Sequence, residues 1–126
     1  MFSTVIQVAI GGAIGAVLRY TAGLGLIRFI GHTEIPLGVL FVNIVGSCLL
    51  GIFAATATQR DFAVFSPFVV TGLLGGFTTF SAFSLETFTL IEKGQLVLAV
   101  LYVFLSVVGS ISGLMTGFWL MRISLT

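Results

Sequence analysis

Four long apolar runs decide which solvent this chain folds in. They cover residues 5–27, 35–57, 62–85 and 96–121. The first contains a single charged residue, Arg19, and the other three contain none. Each run reaches or exceeds the ~20 residues that a helix needs to cross about 30 Å of hydrocarbon. We therefore expect an all-α membrane protein, with one four-helix transmembrane domain over residues 1–126.

The scarcity of charge excludes most other classes of protein. Charged residues make up 7% of the chain, whereas a soluble domain carries about a quarter. A soluble enzyme is excluded because so few charges cannot solvate a globular surface. Intrinsic disorder is excluded because it needs low hydrophobicity and high net charge. The net charge of +1 provides no basic surface for nucleic acid.

Residues with catalytic chemistry are almost absent. The chain has one histidine, His32, and one cysteine, Cys48. A lone cysteine cannot form an internal disulfide or a thiolate zinc site. No Ser-His-Asp set and no pair of carboxylates within one run can be assembled. We therefore expect that the protein is not an enzyme.

Basic residues are divided evenly between the two sides of a four-span protein. Arg60 and Arg122 fall on the side of the termini, and Arg28 and Lys93 fall on the other side. Lys and Arg in short loops set the orientation of membrane proteins, so this balance predicts insertion in both directions. A chain inserted both ways can pair with an inverted copy, which predicts an antiparallel homodimer. A single orientation set by weaker cues is the alternative.

Small residues recur at helical spacing in the first and fourth runs. Gly11 and Gly15 are four apart, as are Gly109, Gly113 and Gly117. Stripes of this kind allow close helix packing in lipid. They predict tight helix contacts and say little about function.

The third run has an unusual concentration of glycine and hydroxyl residues over 72–84. Glycine and β-branched residues lower helix propensity, and Ser and Thr hydroxyls compete for backbone groups. We predict a helix broken in the middle of the membrane, where freed carbonyls can coordinate a small cation. The alternative is a continuous helix whose glycines only pack against neighbours.

Several polar and aromatic side chains lie within the runs. Asn43 can donate two hydrogen bonds from its amide, although a helix–helix bond would also explain it. Phe80 and Phe83 share a helix face in the hydroxyl-rich segment, and the positive edge of an aromatic ring can receive an anion. Contact with lipid is the simpler role for either phenylalanine. On the fourth run, polar residues recur every fourth position at Tyr102, Ser106 and Ser110, which places them on one face of a helix.

The charged residues Arg19 and Glu86 allow several interpretations. Arg19 can snorkel to the interface or draw anions into a vestibule. Glu86 can pair with Arg19, cap a helix end or face water. The sequence leaves these alternatives open.

Three segments together resemble the CrcB/Fluc family of bacterial fluoride channels. They are residues 11–20, residues 38–47 with their Gly-x-x-x-x-Asn element, and residues 75–86 with Gly-Gly-x-Thr-Thr-Phe-Ser-x-Phe. The resemblance runs through essentially the whole chain, from the first run to the fourth. One departure is Ala82, where family members often carry Thr or Ser, so a hydroxyl donor beside the pore would be missing.

The resemblance implies an antiparallel, dual-topology homodimer in the bacterial cytoplasmic (inner) membrane. Fluoride would cross by two pores, each built from both subunits. A structural sodium ion at the dimer centre would be held by backbone carbonyls of Gly75 and Thr78, with Arg19 and Glu86 in the vestibule. Leu114 interrupts the fourth-run stripe, so Thr116 matches the family's polar track less securely. The expected pore residues are Asn43, Phe80, Ser81, Phe83, Ser84, Tyr102, Ser106, Ser110 and Thr116.

Two other functions are alternatives to a channel. A small multidrug-type proton antiporter has the same size and topology, but it needs an embedded carboxylate early in the chain, where this sequence has Arg19. A structural or assembly subunit would leave the broken third helix unexplained.

Overall fold

A computed structural model describes all 126 residues, and every regular element in it is helical. The elements are α1 (Phe2–Ile30), α2 (Leu37–Arg60), a 3₁₀ turn (Phe62–Phe65), a π-helix (Pro67–Leu74), α3 (Gly75–Phe77), α4 (Phe80–Glu92) and α5 (Leu96–Leu125). Four helical regions are long and apolar enough to cross a membrane: α1, α2, the bent region Phe62–Glu92, and α5. The four predicted spans are confirmed.

The helices extend beyond the apolar runs that predicted them. Arg28, Arg60 and Arg122 each lie in the last turn of a helix and not in a loop, where a cation interacts favourably with the helix dipole. The predicted end of the third span at residue 85 was also wrong. Glu86 lies inside α4, which continues to Glu92, and the hydroxyls of Thr87 and Thr89 bond to carbonyls of the preceding turn without interrupting the helix.

Short connections with a positive φ angle separate the helices. Gly31 (φ 90°) ends α1, Asp61 (φ 56°) ends α2, and Gly94 (φ 76°) lies between α4 and α5. This conformation terminates helices and is easiest for glycine. The connections between the helices are six residues or fewer, which is too short to form a soluble domain.

Glycines set the distance between α2 and α5. A Cβ added at Gly117 would collide with the Cys48 carbonyl oxygen, and one at Gly109 would lie 2.7 Å from the Ile44 side chain. From the other helix, a Cβ at Gly51 would collide with the carbonyl of Leu114. The predicted small-residue stripe on α5 is confirmed as a packing face.

The protomer has a small buried interior and a largely apolar surface. Only 14 of 126 residues are buried, and large apolar side chains are exposed along every long helix. Apolar surface this extensive is incompatible with water as the main solvent. The main buried cluster joins α4 to α5 through Phe83, Leu90, Ala99 and Tyr102.

Candidate functional site at the interrupted helix

The third helical region is broken at two threonines. Thr78 (φ −89°, ψ 160°) and Thr79 (φ −152°, ψ 121°) are extended, and they separate α3 from α4. The Thr78 hydroxyl donates to the Leu74 carbonyl at 2.9 Å. The Thr79 hydroxyl accepts from the Ala82 N–H at 3.1 Å and caps α4. The predicted break is confirmed, and hydroxyls bond to backbone groups on both sides of it, as the prediction assumed.

Asn43 holds the break from the neighbouring helix α2. Its Nδ2 donates to the Thr79 carbonyl at 3.0 Å, and the Thr79 N–H donates to its Oδ1 at 2.8 Å. The side-chain amide thus replaces bonds that a continuous helix would make within its own backbone. An asparagine amide has two N–H donors, and only one of them is used here. The helix–helix role considered for Asn43 is therefore real, and it leaves one donor free.

Carbonyls that precede the break lose the donors of a regular helix. In an α-helix the N–H of residue i donates to the carbonyl of residue i−4. In a continuous helix the Thr79 N–H would donate to the Gly75 carbonyl, but here it donates to Asn43. Likewise, the Ala82 N–H would donate to the Thr78 carbonyl, but here it donates to the Thr79 hydroxyl. The carbonyls of Gly75 and Thr78 are therefore released from the helical ladder.

A groove of about 420 Å³ runs beside the break and collects most of the predicted pore residues. Phe80 and Phe83 both line it, with ring centroids 5.4 Å apart and an edge-on angle of 62°. Phe83 is buried, whereas Phe80 is 77% exposed. Other lining residues that were predicted are Asn43, Gly75, Thr78, Ser106 and Ser110.

Ser106 is the one buried side chain with an unpaired polar atom. Its Oγ is inaccessible to solvent and has no hydrogen-bond partner in the protomer. An unsatisfied hydroxyl in an apolar environment is costly, and a serine on a helix usually bonds to the preceding turn. Ser106 is one of the residues that line the groove, and its hydroxyl is the buried polar atom there that lacks a partner.

A second cavity of about 260 Å³ lies on the other side of Thr79. It is lined by both predicted vestibule residues, Arg19 and Glu86, and by Ala82. Thr79 lines this cavity and the groove alike. The break therefore separates a cavity with charged residues from a groove with aromatic and hydroxyl residues.

The two vestibule residues have partners that the sequence did not indicate. The Arg19 Nε donates to the Gly76 carbonyl at 3.0 Å. Glu86 accepts a hydrogen bond of 2.9 Å from the Tyr102 hydroxyl. A helix-capping role for Glu86 was wrong because this residue lies inside α4, and its bond to Tyr102 was not among the alternatives considered.

Comparison with known proteins agrees with this geometry. Residues 6–118 match the family model described as "CrcB-like protein, Camphor Resistance (CrcB)". The chain belongs to the CrcB family. A protein of Ruegeria sp. (strain TM1040), named "Fluoride-specific ion channel FluC", is 52% identical over 126 residues, which is 100% of both chains. Proteins of the same name from Roseobacter denitrificans and Nitrobacter winogradskyi are 52% and 43% identical, with 94% of this chain covered in each case.

Some predicted pore residues of this CrcB chain lie outside both cavities of the protomer. Tyr102 is completely buried, and its hydroxyl donates a hydrogen bond to Glu86. The Ser81 hydroxyl lies 3.2 Å from that of Thr79, and the Ser84 hydroxyl donates to the carbonyl of Phe80. Thr116 is exposed on α5. The groove thus brings together a smaller set than the sequence predicted.

Proposed function

We propose that this CrcB protein is a fluoride-selective channel that lets fluoride leave the cell passively across the bacterial inner membrane, which reduces fluoride toxicity. Support comes from the family and from relatives at about half identity that are named fluoride-specific ion channels. The observation that carries the proposal is the groove at the break, which is lined by two phenylalanines in edge-on contact and by Ser106, whose hydroxyl is unpaired.

Desolvation explains why these residue types suit a small anion. A bare ion moved into a low-dielectric interior costs tens of kcal/mol in the Born limit, so the pore must replace lost water with donors. The free N–H of the Asn43 amide, the Ser106 hydroxyl and the ring edges of Phe80 and Phe83 can provide them. Several weak sites in series also let the ion leave again.

The proposed channel is a homodimer of two inverted copies with two pores. The groove is open on one side of the protomer, and the ring of Phe80 at its margin is 77% exposed. A second copy packed over this side would complete the pore wall and bury that ring. The even division of basic residues, with Arg60 and Arg122 against Arg28 and Lys93, supports insertion in both orientations.

A structural sodium ion at the dimer centre completes the proposal. Hard cations bind oxygen ligands, and the carbonyls of Gly75 and Thr78 are among those that the break releases from the helical ladder. Two carbonyls are too few to enclose a cation. The same pair from an inverted partner would double the number of ligands, so the ion would stabilise the dimer and the break together.

A matched pair of phenylalanine variants tests the proposal. Phe80 and Phe88 both lie on α4 and both are exposed in the protomer, but only Phe80 lines the groove. Purified Phe80→Leu and Phe88→Leu proteins would be placed in liposomes, and fluoride release would be followed with an electrode. Phe80→Leu should release fluoride at least about tenfold more slowly than Phe88→Leu, while both remain dimers by light scattering. Equal rates would show that fluoride does not pass along the groove. Transport of organic cations coupled to protons in the same liposomes would favour the antiporter instead.

A further inference from the structure

We propose that Arg19 is a positioning residue, which fixes the end of α3 by holding the Gly76 carbonyl. It thereby keeps the backbone of the neighbouring residues Gly75 and Thr78, which line the groove, in place. This inference rests on the proposed function, in which those two carbonyls bind a cation. It gives Arg19 a role other than the attraction of anions to the vestibule.

Tight packing of α1 brings Arg19 to this carbonyl. A Cβ at Gly15 would collide with the Leu73 carbonyl oxygen and would lie 2.9 Å from the Phe77 nitrogen. A Cβ at Gly76 would lie 2.7 Å from the Gly12 carbonyl oxygen. Arg19 follows Gly15 by four residues and so lies on the same face of α1, one turn further along. The glycine contacts therefore set the position from which Nε reaches Gly76.

The end of α3 needs such a contact. α3 is the last part of a helical segment that is continuous from Pro67 and ends at the break, and the last carbonyls of a helix carry partial negative charge. An N–H donor is favourable there, because the break has taken away the helical donor of the Gly76 carbonyl. Arg19 is the charged donor that the structure places on this terminus.

The side-chain partners around the break select which carbonyls stay free. The Leu74 carbonyl accepts from Thr78, the Gly76 carbonyl from Arg19, and the Thr79 carbonyl from Asn43. The carbonyls of Gly75 and Thr78 are left without their helical donors. If Gly76 lost its partner, its carbonyl would compete for the same cation or rotate to find another donor. Arg19 thus removes the Gly76 carbonyl from the groups that are free to bind the proposed cation.

Three substitutions separate the donor of Arg19 from its charge. Glutamine places an amide nitrogen the same number of bonds from Cα as the arginine Nε, without charge. Lysine keeps the charge but has a methylene at that point. Methionine has a methyl group there and has neither property. If Arg19 acts through Nε, Arg19→Gln should resemble the wild type more closely than Arg19→Lys does, and the opposite order is expected if Arg19 acts through its charge.

Amide hydrogen exchange of the purified protein in detergent gives a readout that needs no transport. The N–H groups of Thr78 and Thr79 are bonded in the ordered break, so their protection reports how well it is held. Arg19→Met and Arg19→Lys should each lose protection at least about tenfold, the size of effect expected for a hydrogen bond to a charged donor. Arg19→Gln should lose clearly less. Fluoride release from liposomes should follow the same order.

Two results would overturn this role for Arg19. One is protection in Arg19→Lys close to wild type while Arg19→Gln falls as far as Arg19→Met. The other is unchanged protection in all three variants. If Arg19→Met does not fold, the order of the glutamine and lysine variants still decides. If the wild type releases no fluoride, the proposed function fails, and the exchange data still test the contact with Gly76.

Discussion

Replacing Asn43 by alanine would remove both hydrogen bonds that join α2 to the break. The amide accepts from the Thr79 N–H at 2.8 Å and donates to the Thr79 carbonyl at 3.0 Å. No other side chain bonds to the Thr79 backbone in the protomer. The extended conformation of Thr79 would lose the contact that holds it, and its N–H would exchange with solvent or return to the Gly75 carbonyl.

The size of the effect follows from these two bonds. Side-chain hydrogen bonds between membrane helices contribute about 0.6 kcal/mol on average and about 1.7 kcal/mol at most. Two of them give about 1 to 3 kcal/mol, and about 1.4 kcal/mol corresponds to a factor of ten. The ordered break in Asn43→Ala should therefore lose about 5- to 150-fold in population relative to alternative arrangements.

Hydrogen exchange at the Thr79 amide would measure this population in detergent, and fluoride release from liposomes would measure its consequence. Ser47→Ala is a matched control, because Ser47 lies one turn from Asn43 on the same face of α2 and lines the same groove without a hydrogen bond to the break. Asn43→Ala should lose Thr79 protection, and Ser47→Ala should keep it. Wild-type Thr79 protection in Asn43→Ala would refute the argument that Asn43 holds the break.

Three further substitutions have defined outcomes. Gly15→Ala should lower the melting temperature far more than Gly12→Ala, because the added methyl collides with backbone only at Gly15; equal melting curves would contradict this packing. Ser106→Ala should raise the melting temperature slightly, since it removes a buried hydroxyl that has no partner, yet slow fluoride release from liposomes; unchanged release would place the hydroxyl outside the pathway. Tyr102→Phe should cost about 1 to 3 kcal/mol of unfolding free energy in detergent by leaving Glu86 without its donor; unchanged stability would mean that water replaces it.

The sequence predicted the features that follow from local chemistry. Long uncharged runs require four spans, and glycines beside hydroxyl residues at 72–84 require a weak helix, so the spans and the break at Thr78 and Thr79 could be anticipated. The shared face of Phe80 and Phe83 is a matter of helical spacing alone. These properties depend on neighbours in the chain and need no knowledge of the fold.

Partners distant in sequence could not be predicted in the same way. Arg19 and Gly76 are 57 residues apart, and Tyr102 and Glu86 are 16 apart. Each pair depends on how two helices cross, which polar spacing does not encode. The π-helix Pro67–Leu74 likewise has no signal in composition. Charged residues were taken as markers of loops, so the predicted helix ends were too early. Arg28, Arg60 and Arg122 instead lie in the last turns of helices, where a cation interacts favourably with the helix dipole.

Fluoride release from liposomes tests the central claim most directly. Vesicles loaded with potassium fluoride or potassium chloride would carry the purified wild-type protein, and valinomycin would be added so that potassium can follow the anion. The proposed channel predicts rapid fluoride release that depends on valinomycin, with little chloride release. Equal release of both anions would contradict selectivity at the groove, and the absence of release in the presence of valinomycin would contradict a passive fluoride channel.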